Sequence, residues 1–274
     1  MEPLITLTTD FGGESPYVAA MKGIVLSLNP HARLIDLSHQ ILPQDIRFAA
    51  FFLRACIPYF PPEAIHVVVV DPGVGTDRAL LYVEIDGHRL LAPDNGCWTG
   101  LMGQVGQSPL SGKPTVIRLT ERRFWRPTVS PTFHGRDILA PVAAHLSLGE
   151  DPRNLGQPFD DWVRLETKSP IIEPNRVVGE VIFIDHFGNL ITNIPGEAFA
   201  RMDDPHIQIL VGDQAVTRRV HTYGEAEKGT LVALVSSFDL MEVAVSGGSA
   251  QKKLGAQVGS TVSVRVISPT DPGA

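Results

Sequence analysis

The run IHVVVV at positions 65–70 constrains the fold more than any other stretch of the chain. It is β-branched and unbroken, with no polar alternation, so it predicts a central strand covered on both faces. The flanking segments indicate what covers it. Positions 4–9 predict a second buried strand, after which Tyr17, Ala20, Met21, Ile24, Val25 and Leu28 recur at helical spacing. Ser15 is expected to cap that helix, Pro16 suits its first turn, and Asn29-Pro30 ends it. A short strand at 33–37 leads to a helix over 44–56, with Ile46, Ala49, Ala50 and Leu53 along one stripe. Strand, helix, strand, helix, strand in succession predicts an α/β domain with a mainly parallel sheet. Strands at 80–85, 89–91 and 115–119 extend the sheet, and a helix over 137–148 closes the domain.

The pattern changes after Asp151. The stretch DPRNLGQPFDDWVRLETKSPIIEPN is proline-rich and aperiodic, and reads as connecting chain. Strand candidates then follow at short spacing over 176–184, 206–211, 215–221, 230–235, 240–245 and 261–266, with one short helical piece near 197–202. Such a succession predicts a mostly β half, a small barrel or sandwich. The expected organisation is an α/β N-terminal domain over 1–168, a linker over 169–176 and a C-terminal β-barrel domain over 177–274.

Composition narrows the function. The 274 residues carry a net charge of −7 with no block of like charges, which speaks against nucleic acid or an anionic membrane as partner. No apolar run approaches the ~18 residues needed to cross a bilayer. The opening MEPLITLTTD lacks the basic and apolar regions of a secretory leader, so a soluble, cytoplasmic protein is expected. Cys56 and Cys97 fit neither a disulfide framework nor a metal spacing, and read as buried thiols. Asp10, His39, Asp94, His134 and Asp137 are available as ligands, yet no HExxH, His-x-His or Cys-x-x-Cys spacing organises them. No metal is therefore expected. The glycines of DPGVGT match neither a P-loop nor a dinucleotide fingerprint, and no G-x-S-x-G elbow is present.

In a parallel sheet, ligands bind beyond the carboxyl ends of the strands. Asp10 ends the first strand, and Asp71 ends the 65–70 strand and opens DPGVGTDR, with Arg78 seven residues on. The APDNG stretch at 92–96 follows another strand end. Each acid alone fits a turn or a helix cap better than a ligand site. Three of them along one edge of one sheet point to a ligand. The FHGRD stretch at 133–137 precedes the closing helix, where Asp137 suits an N-cap and Gly135 beside His134 allows close approach of a ligand. In the second half, DHFGN at 185–189 reads as a hairpin turn with Phe187 at its tip, placed to stack on a planar ligand.

Seven stretches then occur in order: TTDFG (8–12), YVAAMKG (17–23), VDPGVGT (70–76) with Arg78, APDNG (92–96), FHGRDILAP (133–141), DHFGNLITNI (185–194) and MEVAVSGGSA (241–250). Together they closely resemble the S-adenosyl-L-methionine (SAM) hydrolases, also called SAM hydroxide adenosyltransferases. These are relatives of the fluorinating and chlorinating enzymes that use the same substrate. The resemblance implies an α/β domain followed by a β-barrel, and a homotrimer whose active site lies between one subunit's first domain and its neighbour's second. It also implies attack of a water-derived hydroxide on C5′ of SAM, releasing adenosine and L-methionine, with no cofactor beyond the substrate.

Residue by residue, the resemblance places a catalytic set on Asp71, Arg78 and His134. His134 would act as base or proton acceptor, and Arg78 as the positive charge that favours hydroxide. Asp71 would orient Arg78 and the ribose side of the substrate. The implied substrate contacts are Asp10 at the ribose, Phe187 and Asn189 at the adenine, and Asp185 at the methionine ammonium. Ser237, Glu242 and Val245 complete them on the barrel. Two departures stand out: Glu14-Ser15, where many relatives carry an acid near position 15, and Ser246, where relatives often have Asn. The halogenases' Tyr-Pro-x-Thr halide pocket falls where this chain has Asp71-Pro72-Gly73-Val74, and the run 78–95 leaves no room for their loop insertion. A hydrolase is thus favoured over halogenase-like substitution on SAM, and a non-catalytic SAM or adenosine binding module is the alternative from another class.

Overall fold

The computed structural model describes residues 2–102, 110 and 112–267. The chain divides into two compact units, one running to Glu166 and the other starting at Thr167. The first contains β1 (Leu4–Thr9), β2 (Arg33–Ser38), β3 (Ile65–Val69), β4 (Leu80–Ile85), β5 (His88–Pro93), β6 (Thr115–Leu119) and β7 (Gly156–Pro158), in sheet order β2-β1-β3-β5-β4-β6-β7. β1 pairs in parallel with β2 and β3, and β3 with β5. β4 is antiparallel to β5 and β6, and β7 to β6. Five strands therefore share one direction while β4 and β7 oppose it, as expected of a mainly parallel sheet.

β3 is the inner strand that its composition predicts, and every residue in it is buried. Ile65, Val67 and Val69 face a core shared with α1 (Tyr17–Leu28). Val68 and Val70 face the opposite core, shared with α2 (Ile46–Cys56). α3 (Ala140–Ser147) packs on the α1 side. After β1 the chain crosses through α1 to β2 on one side, whereas β3 lies on the other. The carboxyl ends of β1 and β3 thus flank a point where the strand order reverses, which is where open α/β sheets form a crevice.

Four local expectations change. Ser15 does not cap α1: its hydroxyl donates to the Phe11 carbonyl at 2.6 Å, because Pro16 occupies the cap position in αR geometry. α2 starts at Ile46, with the Asp45 side chain accepting from Phe48 N at 2.8 Å, while Gln44 lies outside it at φ +64. The closing helix begins before Asp137, as a π turn over Gly135–Leu139 that runs into α3, so Asp137 is inside the helix and is no N-cap. Of the two thiols, Cys97 is buried and Cys56 only half-buried.

The second unit contains β8 (Ile171–Glu173), β9 (Arg176–Ile184), β10 (Leu190–Pro195), β11 (Ile207–Val211), β12 (Gln214–Val216), β13 (Arg218–Arg219), β14 (Leu231–Val235), β15 (Leu240–Val245) and β16 (Thr261–Val266). Their order is β12-β11-β16-β9-β10-β15-β14-β13, with β8 added on β9. The sheet curls into a barrel-like form around Val181, Phe199, Met241 and Val262. α4 (Gly196–Arg201) matches the short helix expected near 197–202, whereas β10 and α5 (Ala250–Leu254) were not among the predicted elements. The strand expected at 215–221 is broken into β12 and β13. Among the described residues, no helix is long and apolar enough to cross a membrane.

Candidate active site

Asp71, Arg78 and His134 meet at the carboxyl end of β3. Arg78 Nε lies 2.9 Å from both Asp71 oxygens and its Nη2 2.5 Å from Oδ2, so the guanidinium forks onto the carboxylate. Only 7% of the Asp71 side chain and 11% of that of Arg78 are exposed, which keeps water from screening the pair. The same Nη2 reaches His134 Nδ1 at 2.8 Å. A guanidinium only donates, so Nδ1 accepts and the neutral ring carries its proton on Nε2. Burial, and then the Arg78 charge, push His134 below the ordinary imidazole range, while Asp71 and Asp137 pull the other way.

Glycine and amide chemistry hold these three together. Gly75 stands at φ +83, and a Cβ there would lie 2.6 Å from the Pro131 carbonyl oxygen, so the DPGVGT turn packs directly against the chain leading to His134. The Asn95 amide donates to the Val70 carbonyl at 2.8 Å and anchors the end of β3. Asp94 accepts from Val163 N at 2.8 Å, which gives this strand-end acid a structural partner. Asp10 sits at the end of β1, where its Oδ2 accepts from Gln44 N at 2.8 Å. Phe11, Tyr17 and Phe133 form a triangle of ring contacts with centroids 5.1–5.8 Å apart.

Asp137 is a second hub that the sequence did not reveal. Its fully buried carboxylate accepts from Arg126 Nη1 at 2.8 Å, Arg136 Nε at 2.7 Å, Arg136 Nη2 at 2.9 Å and Ser130 N at 2.9 Å. Burial pushes the carboxyl up, but donation from Arg136, Ser130 and Arg126 outweighs it and holds the group at about 2. The loop before His134 is thereby tied to the π turn after it. Gly135 lets that turn approach the sheet, since a Cβ would stand 3.1 Å from a Val69 methyl and 3.3 Å from Met21 Sδ. The basic and aromatic run Arg122-Arg123-Phe124-Trp125-Arg126 was the available sequence clue to charge in this region.

The other expected residues lie in the second unit. Asp185, Phe187 and Asn189 share one turn, where Asp185 Oδ1 accepts from the backbone N–H of Phe187 and of Asn189, each at 2.9 Å. Its Oδ2 accepts from the Asn189 side-chain amide at 2.9 Å. Phe187 is 73% exposed at the tip. Glu242 is buried and accepts from the Tyr223 hydroxyl at 2.7 Å, with burial pushing its carboxyl up. Val245 is buried and Ser237 exposed. Among the described residues, no group of three or more His, Cys, Asp or Glu side chains is arranged to hold a metal ion.

Residues 5–156 match the SAM hydroxide adenosyltransferase N-terminal domain, and residues 179–263 match the corresponding C-terminal domain. The chain belongs to the SAM hydroxide adenosyltransferase family. Within that family it is similar to the (R)-S-adenosyl-L-methionine hydrolase of Salinispora tropica, 36% identical over 96% of this chain and 97% of that protein. It is also similar to the enzyme of the same name from Thermus thermophilus, at 38% identity over 96% of this chain and 99% of that protein. A fluorinase from Nocardia brasiliensis is more distant, at 29% identity over 70% of this chain and 71% of that protein. Among solved structures, an uncharacterized conserved protein from Thermotoga maritima superposes with a TM-score of 0.86 at 31% identity, covering 96% of this chain and 99% of that one.

Proposed function

We propose that this SAM hydroxide adenosyltransferase hydrolyses S-adenosyl-L-methionine to adenosine and L-methionine. The bonded set of Asp71, Arg78 and His134, poised at the sheet's crevice, carries the proposal. As the C5′–O bond forms, the C5′–S bond breaks and its electron pair stays on sulfur, which leaves as the neutral thioether of methionine. No acid is needed for that departure. The demanding partner is water, which must be aimed in line with the C5′–S bond and lose a proton. Arg78 supplies the positive charge that favours hydroxide, and the Asp71 fork fixes where that charge points. Proton uptake by His134 at Nδ1 would put a second cation beside Arg78 and break their contact. We therefore assign His134 the donor role: its Nε2–H holds the oxygen nucleophile, and the proton of water passes to solvent. This changes the expectation that His134 is the base.

A halide would meet the Asp71 carboxylate, which weighs against halogenase-like substitution. A pure binding module has no use for a buried guanidinium that is forked onto a carboxylate and reaches an imidazole. The reaction as written uses no cofactor. Asp10 and Asp71 are assigned to the ribose, Phe187 and Asn189 to the adenine, and Ser237, Glu242 and Val245 to the surrounding barrel surface. Asp185 is assigned to the methionine ammonium, which would share oxygens already bonded within their own turn. We further infer a homotrimer with the first unit of one subunit facing the second unit of the next. What supports it is that the chemistry-bearing residues are all in one unit and the adenine residues all in the other. Free Cys56 and Cys97 fit a reducing, cytoplasmic location.

The deciding experiment incubates the protein with SAM in ¹⁸O-water with a chelator, beside His134→Ala, and reads adenosine and methionine by mass spectrometry. Adenosine labelled at its 5′ oxygen is expected. Unlabelled adenosine, or none above the uncatalysed background, would sink the hydrolase assignment. Co-expressing His134→Ala with Phe187→Ala tests the trimer: regained activity in mixed assemblies is expected, and none would mean each subunit works alone.

A further inference from the structure

The turn that carries Asp10 is held by a residue outside the charge array. His39 stands one residue beyond β2 and touches that turn twice. Its backbone carbonyl accepts from Gly12 N at 2.7 Å, and its ring Nδ1 lies 2.9 Å from the hydroxyl of the buried Thr9. Thr9 Oγ1 in turn accepts from Phe11 N at 3.3 Å. The other ring nitrogen, Nε2, sits 3.0 Å from Asp36 Oδ1, in a close contact that is not an aligned hydrogen bond. Facing a carboxylate, Nε2 carries the proton of the neutral ring, which leaves Nδ1 to accept from Thr9. Asp36 is anchored by Lys22 of α1, whose Nζ stands 2.6 Å from Oδ2. Asp10 itself is half used. Its Oδ2 accepts from Gln44 N at 2.8 Å, with Gln44 at φ +64, a conformation uncommon outside glycine. Among the described residues, its Oδ1 has no hydrogen-bond partner.

We propose that His39 is a positioning residue for ribose recognition. By holding Thr9 and Gly12 on either side of Asp10, it fixes where the open Oδ1 lies. It thereby sets how strongly the protein prefers ribose to deoxyribose nucleosides. A hydroxyl that meets a fixed carboxylate is discriminated sharply, because its loss leaves that oxygen unpaired. A carboxylate free to swing toward water loses little. An acid, imidazole and hydroxyl in a row could also activate a nucleophile. Thr9 is fully buried, however, which leaves the row a positioning task. The proposal rests on the assignment of Asp10 to the ribose.

Isothermal titration of the full chain with adenosine, 2′-deoxyadenosine and 3′-deoxyadenosine tests it. The wild type should prefer adenosine to at least one deoxynucleoside by about tenfold or more, and Asp10→Ala should abolish that preference. In His39→Ala the preference should fall below about threefold, with the loss confined to adenosine and the deoxynucleosides bound much as before. His39→Asn should recover part of it, since its amide oxygen can accept from Thr9 near the place of Nδ1. Thr9→Val, which removes only the hydroxyl contact, should reproduce the direction of the effect if His39→Ala fails to fold. Equal weakening of all three nucleosides in both His39→Ala and Thr9→Val would make the row merely structural and overturn the proposal. So would a preference that survives in both variants but vanishes in Asp10→Ala, and this result would leave the ribose assignment standing. A preference untouched by Asp10→Ala, or no adenosine binding by the wild type, would instead remove the ribose assignment and the proposal with it.

Discussion

Asp71 and Asp185 each follow a strand, β3 and β9, and their carboxylates are used in opposite ways. Asp71 turns both oxygens to the guanidinium of Arg78, which reaches His134 fifty-six residues further on. Asp185 turns both to its own turn, through the backbone of Phe187 and Asn189 and the Asn189 side chain. A carboxylate forked by a guanidinium holds a field in place, whereas one bonded to nearby amides holds a backbone in place. The first unit therefore fixes a charge, and the turn in the second fixes the backbone that carries the exposed Phe187. The same residue type after a strand carries either role, and the identity of its donors decides which.

Breaking the charge array should give the largest effect. Arg78→Met is expected to lower kcat by about 10³-fold while adenosine affinity stays within a few-fold, read from steady-state kinetics and adenosine titration. A loss below tenfold would remove the array from the chemistry. His134→Ala should cost about 10²-fold, and His134→Gln should recover part of it because the amide keeps an N–H donor. Equal activity of the two variants would point back to a base. Since burial and Arg78 keep the ring neutral, the acid limb of the wild-type kcat profile should lie below the ordinary imidazole value of ~6.5. A limb above neutrality would contradict that.

Asp137→Asn should cost about 2 kcal/mol of stability at neutral pH, measured by urea unfolding, because it leaves two guanidiniums without their anion. The folded carboxyl is held at about 2, below the value it has in the unfolded chain. Its contribution is thus complete above that unfolded value and is lost as pH falls through the folded one. The gap between variant and wild type should accordingly close from about pH 4 to pH 2, and a constant gap would show that charge is not the cause. The smallest change, Phe187→Ala, should weaken adenosine binding about tenfold and leave the urea midpoint in place. Were the midpoint to drop as well, the turn would be structural rather than a platform.

The strands were legible because β-branched runs such as 65–70 and 240–245 carry their own preference. The site motifs were legible because Asp71, Arg78 and Asn95 follow strand ends within short loops. Sheet order was not legible: nothing local to 80–93 says that β5 inserts between β3 and β4. α5 was hidden because it has only five residues, starting at a Ser249 cap that resembles a turn. Asp137 misled for a similar reason. Beside a helix start it fits an N-cap, and its real partners, Arg126 and Ser130, are gathered by a loop that only the folded chain closes. His134 was found by type, but its proton arrangement needed the 2.8 Å contact from Arg78.

The π turn over Gly135–Leu139 has a consequence for how this protein can vary. Such a turn holds one residue more than an α turn. Deleting a single residue from it would restore the ordinary repeat and swing everything before it by about 100° around the helix axis. His134 would then face a different direction with its chemistry unaltered. Loss or gain of one codon thus reaches orientations of this imidazole that no exchange of side chains can, and length variation at this turn is a separate evolutionary coordinate for the site.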